Sequence, residues 1–152
     1  MQSIPTVNSV GRFPVSGCVL HWKDLFSPGK HKYLVVIGHS PAGDLLAFTT
    51  TTQAHWLRHE MHMNAMIEIP EKATSFMPSR CWIQCFFEVH RISKLEYEQA
   101  SLDDVVEIIG RLKLRYLEKI RAACGGDLLA MQDAEDAISA IDEALAGTRA
   151  PG

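Results

Sequence analysis

The sequence predicts a mainly β, α+β fold: a small barrel of short strands carrying helices at its C-terminal end. Three observations predict it. Short apolar runs rich in β-branched and aromatic residues alternate with Gly, Pro and Ser turns as far as residue 110. After residue 113 the apolar spacing changes to three and four, the period of a helix face. Gly125-Gly126 then divides the helical part in two.

Residues 1–14 hold prolines, serines and a glycine and read as an irregular arm. After Gly17, CVLHWK at 18–23 is the first strand, and SPGK at 27–30 is a loop of strong turn residues. Tyr33 to Ile37 is a continuous apolar run of strand length, suited to a strand covered on both faces. HSPAGD at 39–44 closes a hairpin through Pro41 and Gly43, and Leu45 to Thr51 is the returning strand. AHWLRHEMHMNAM at 54–66 is open between a helical turn and a long loop. Ile67 to Ile69 is a short strand cut by Pro70, residues 71–80 form a loop, and Cys81 to Ile92 reads as one long strand. Val105 to Ile109 is a last strand, stopped at Gly110.

Leu114, Leu117 and Ile120 mark one face of a helix over 113–124, which Gly125 and Gly126 end by accepting positive φ. Met131, Ala134, Ile138, Ile141 and Leu145 recur at 3-4-3-4 spacing in a second helix. Two heptads do not make a stable free coiled coil, so this stripe must be buried on the body, on a second copy or on a partner. The organisation is therefore an arm (1–14), a barrel domain (15–125) and an acidic amphipathic helix and tail (126–152).

At 152 residues and 47% apolar, the chain can bury one core of its own. No apolar run approaches the roughly 20 residues of a membrane span, and the N-terminus lacks the pattern of a secretory leader. Four cysteines are too few and too irregular for a disulfide framework, which points to free thiols and a cytoplasmic location. The net charge of −3 is uneven: residues 1–125 carry fourteen Lys/Arg and twelve Asp/Glu, whereas residues 126–152 carry one Arg and six acids. A weakly basic body beside an acidic tail points to nucleic acid, or to an acidic segment meeting a basic face.

The chemistry-bearing residues gather in two places. Lys30-His31-Lys32 precedes the second strand and four threonines, 49–52, end the third. Strands paired in order bring this cationic turn near the threonines, and cations with hydroxyls at a strand edge suit a phosphate backbone. His31 suits proton transfer near neutral pH. His55, His59 and His62 fall on one face if 54–66 is helical, but they miss the His-Glu-x-x-His zinc signature. Their better use is in a loop over the binding face, together with Arg58; Trp56 beside them suits stacking on a base but reads first as an ordinary packed tryptophan. Cys81 and Cys85 share a strand face and read as small buried side chains. Trp82, Phe86 and Phe87 read as core or as a dimer contact.

In order, these segments resemble the MazF/PemK-type toxins. GCVLHWKDLFSPGKHKYLVVIGH resembles that family's opening strand, loop and second strand; FTTTTQ resembles its third strand. CWIQCFFEVHRISKLEYEQ and IIGRLKLRYLEKI resemble its long strand and closing segment, so the likeness covers roughly 15–124. It implies an SH3-like barrel, usually dimeric, that cuts single-stranded RNA with neither metal nor cofactor, held in check by an antitoxin protein. It implies catalysis by Lys32, at the family's arginine position, with Thr51 or Thr50 at the Thr/Ser position. His31 would be the acid or base, and RNA contacts would fall to Lys30, Thr50, Gln53 and Arg58. Lysine keeps the charge but lacks the planar fork of arginine; Tyr33 and Cys18 replace the family's proline and aspartate. The rival expectation is a catalytically degenerate barrel that binds nucleic acid or protein.

Overall fold

A computed structural model describes residues 13–23, 31–52, 65–85, 88–126 and 129–149. The elements are β1 (Cys18–Lys23), β2 (His31–His39), β3 (Leu45–Thr51), β4 (Met66–Ile69), β5 (Cys81–Gln84) and β6 (His90–Ile92). They continue with α1 (Lys94–Leu102), β7 (Val106–Arg111), α2 (Leu114–Cys124) and α3 (Met131–Arg149). The mainly β, α+β class holds. The strands form an antiparallel sheet in the order β4-β5-β3-β2-β1-β7, with β6 also paired to β3. The sheet is open: among the described residues, β4 and β7 end the path and do not pair with each other.

β2 is covered on both faces, as its unbroken apolar run predicts. Val35 and Ile37 join Val19, Leu46 and Phe48 under α2 and α3, whose Leu117, Ile120, Ala137 and Ile141 complete that core. Leu34 and Val36 turn the other way and meet Leu20, Trp22, Ala47 and Ile92 beneath Tyr97 and Ala100 of α1. Each such aliphatic or aromatic side chain, taken fully out of water, contributes roughly 1.5–3 kcal/mol.

α1 escapes the sequence reading, although its signal is present. Ser93 caps the helix, its hydroxyl accepting from the Glu96 backbone N–H at 3.0 Å, and Ser-x-x-Glu is a capping sequence. The single long strand over 81–92 is also corrected. β3 pairs Thr50 with Ile83 but Ala47 with His90, so the partner chain holds four residues more than the ladder can seat. The excursion divides β5 from β6, and the Val89 N–H at its end is satisfied by Asp133 of α3 at 3.2 Å. β7 runs through Gly110 to Arg111 instead of stopping there. Glycine is needed at that position because a Cβ would lie 2.3 Å from the ring of Phe76. Gly125 does cap α2, but with φ of −77° rather than a positive angle.

The amphipathic tail packs on the body. Ala137, Ala140, Ile141 and Leu145 are buried in the core under α3, whereas Met131 is 79% exposed. The tail's acids meet body arginines: Asp133 and Asp136 each lie 2.8 Å from Arg91 Nη2, and Asp142 takes Arg121 bidentately. Hydrogen bonds donated to Asp133, then to Asp136, hold the Arg91 guanidinium above its ordinary pKa.

α3 sits this close because of a bulge at Gly38. The ladder pairs Val36 with Ala47 and then Gly38 with Leu46, leaving Ile37 as the extra residue. Gly38 has φ +148°, and a Cβ there would lie 2.7 Å from the Ala140 methyl. Gly38→Ala therefore lowers stability by about 1–3 kcal/mol, from backbone strain and overpacking together. Urea unfolding should show that loss, and adding Ala140→Gly should recover the steric part but not the strain. Equal stability of Gly38→Ala and wild type would contradict this packing.

Candidate active site

At the far end of β2 from Gly38, the ladder gathers polar groups on one face. β1 pairs His21 with Tyr33 on one side and with Glu107 of β7 on the other. Two register positions on, Lys23 pairs with His31, and the two-residue period turns both toward the same face as His21. The contacts bear this out. The His21 ring stacks on Tyr33, with centroids 4.9 Å apart and planes 17° apart, and lies 4.9 Å from the His31 ring. His21 Nε2 and His31 Nδ1 are hydrogen-bonded at 2.8 Å. On its other side, His21 Nδ1 is 3.5 Å from Glu107 Oε1. The His21 side chain is only 15% exposed, that of Glu107 66%, and His31 is exposed. A carboxylate, an inner imidazole and an outer imidazole thus run in line from β7 across β1 to β2.

The opposite face carries the other half of the sequence-predicted constellation. Lys32 pairs with Trp22, whose ring belongs to the α1 core. β2 and β3 pair Leu34 with Thr49. By the two-residue alternation, Lys32 and Thr51 fall on the face of that pair. His31 is separated from both, because consecutive strand residues point to opposite faces. Thr50, expected to contact RNA, lies on the other face from Lys32 and Thr51. It is buried, and its hydroxyl donates to the Tyr33 carbonyl at 3.1 Å, tying β3 to β2. Thr49 donates to Gln84 Oε1 at 3.1 Å. Lys30, Gln53 and Arg58, and with them Trp56, His55, His59 and His62, lie outside the described residues.

Three residues went unnoticed in the sequence: His21, Glu107 and His90. The first two left a signal, each being a lone polar residue inside an apolar strand, VLHWK and VVEII. His90 left none. It pairs with Ala47, which directs it to the Lys32 face. Burial lowers its pKa below the ordinary value, Glu88 opposes that shift, and the Lys32 charge adds to it.

The cysteines hold no reactive thiol at either place. All four are free and buried, as the sequence reading has it for Cys81 and Cys85. Burial pushes the Cys81 thiol up to about 11 and the Cys124 thiol up to about 12. Cys85 is raised well above its usual value by the same cause. Trp82 is core. No helix among the described residues is long and apolar enough to cross a membrane. The chain matches no protein-family model, no curated protein and no solved structure.

The depressed His90 value has a consequence for stability. The native state binds fewer protons at this site than the unfolded chain, whose ordinary value is 6.5. The contribution is therefore intact above that value and is lost as pH falls through it and on through the folded-state value. Between about pH 7 and pH 5, wild type should lose more stability than His90→Gln, and Lys32→Met should lose less than wild type. Parallel pH profiles of wild type and His90→Gln in urea unfolding would refute this.

Proposed function

We propose that the chain is a MazF/PemK-like endoribonuclease that cleaves single-stranded RNA without a metal, with His31 as the proton acceptor. The observation that carries this reading is the hydrogen-bonded His21–His31 pair backed by Glu107. An exposed imidazole held by a second, nearly buried one is a positioned base and not a freely rotating surface side chain. The order of segments along the chain supplies the substrate class. In the reaction, the RNA 2′-hydroxyl gives its proton to His31 while its oxygen attacks the adjacent phosphorus. The bond from phosphorus to the 5′-oxygen breaks, and that oxygen takes a proton from solvent. The products are a 2′,3′-cyclic phosphate and a 5′-hydroxyl end, and no water is consumed. Lys23, across from His31, is the cation for the charge that builds on the phosphorane. In this reading the protein works in the cytoplasm as a homodimeric toxin silenced by an antitoxin protein.

A second reading has one observation in its favour. Lys32 stands where the resemblance calls for arginine, and it shares its face with Thr51 across the ladder. The chain would then be a module that holds nucleic acid or protein on the Lys32 face without cutting.

A quenched single-stranded RNA substrate separates the two. His31→Ala should lower cleavage by roughly 100-fold or more, the usual worth of a positioned base. Lys23→Ala should lower kcat, and Lys32→Ala should weaken RNA binding while leaving kcat largely intact. Absence of 2′,3′-cyclic ends with wild type, together with RNA binding that depends on Lys32, would replace the first reading by the second.

A further inference from the structure

We infer that Glu107 and His21 are positioning residues that fix the tautomer of His31, so that its outward nitrogen, Nε2, carries the lone pair. The inference rests on His31 being the base of the reaction proposed above, but the tautomer itself can be read without any RNA. A carboxylate only accepts hydrogen bonds, and a neutral imidazole carries one N–H and one lone pair. Glu107 Oε1, 3.5 Å from His21 Nδ1, is beyond a tight hydrogen bond, yet its charge attracts an N–H there and repels a lone pair. The His21 hydrogen therefore sits on Nδ1, and Nε2 is left as an acceptor. The 2.8 Å bond to His31 then requires His31 Nδ1 to donate. In its neutral form His31 then carries its hydrogen on Nδ1, and Nε2 is open to take a proton from substrate.

The same arrangement receives that proton without rearranging. Once His31 Nε2 is protonated, Nδ1–H still donates to His21 Nε2, and no bond of the line has to break. Reversing the line would have the opposite effect. A donor at position 107 would turn His21 Nδ1 into an acceptor and Nε2 into a donor. His31 Nδ1 would then accept, and its Nε2 would carry a hydrogen and could abstract nothing. Among the described residues, the titratable groups paired or stacked with this line are Lys23, across from His31 on β1, and Tyr33 beneath the His21 ring on β2. Lysine has no lone pair to offer while charged, so it cannot reverse the line by accepting from it. Tyr33 meets His21 through its ring face.

The test uses the full chain, labelled with ¹⁵N, and long-range ¹H–¹⁵N spectra at alkaline pH, which separate the two imidazole tautomers. Wild type should show both His21 and His31 with hydrogen on Nδ1. Glu107→Lys, which can only donate, should move both hydrogens to Nε2 and lower kcat for RNA cleavage roughly 10–100-fold with KM nearly unchanged. Glu107→Gln, which can donate or accept, should give a mixture and an intermediate kcat. Position 107 is mostly exposed, and equal urea midpoints would verify that these variants fold alike. A wild-type His31 with its hydrogen on Nε2 would overturn the inference, and so would a tautomer or a kcat indifferent to Glu107→Lys. If the tautomers reverse as expected while wild type cuts no RNA, the proposed reaction fails and the assignment of the line stands.

Discussion

Coverage of β2 on both faces is the constraint from which the rest of the structure follows. A strand packed by α1 on one side and by α2 and α3 on the other has no face left for polar groups along its middle. Val35 and Ile37 fill one core, Leu34 and Val36 the other. Polar side chains can enter this strand only at its ends, and they do so in His31 and Lys32 at its start and in His39 at its close. The same rule acts on β1, whose His21 and Lys23 lie at the matching end of the ladder. His21, Lys23, His31 and Lys32 thus meet at this end of the β1–β2 ladder because the middle of β2 is claimed by burial, at roughly 1.5–3 kcal/mol for each side chain that would otherwise be lost.

The alternation that builds the two cores also divides the candidate chemistry. Residues adjacent in sequence cannot share a face, so the cationic run Lys30-His31-Lys32 does not act as one cluster. His31 meets partners from β1 and β7, while Lys32 meets Trp22 and the register of β3. This is why a reading along the sequence overestimates the cluster. Proximity in a strand is measured across the ladder, at about 5 Å, more often than along the chain.

Much of the fold was legible because strong local signals agreed with the global pattern. The unbroken Tyr33–Ile37 run gave a two-faced strand, the Ser40–Asp44 turn gave its hairpin, and Leu117 and Ile120 gave a buried helical face. The parts that were not legible depend on contacts distant in sequence. The excursion between β5 and β6 is set by the register of β3 and is stabilised by Asp133, more than forty residues away. The role of Gly38 is set by Ala140. The candidate site suffers in the same way: His31 was visible as a histidine beside lysines, but its partners come from positions 10 and 76 residues distant. Only pairing of β1 with both β2 and β7 brings His21 and Glu107 to it.

The position of α3 bears on the tail's acidity. Its close contact with the sheet is at Gly38, seven residues from His31 along β2, or about 23 Å at the rise of a strand. Its acids, moreover, engage Arg91 and Arg121. Neither arginine is a member of the histidine line or of the Lys32 face. A helix that covered the site would place its charges against Lys23, His31 or Lys32. This one places them against the excursion after β5 and the flank of α2, where they satisfy the Val89 N–H and hold α2 and α3 together. Three of the tail's six acids therefore serve the packing of its last helix, and among the described residues none of these three reaches the histidine line.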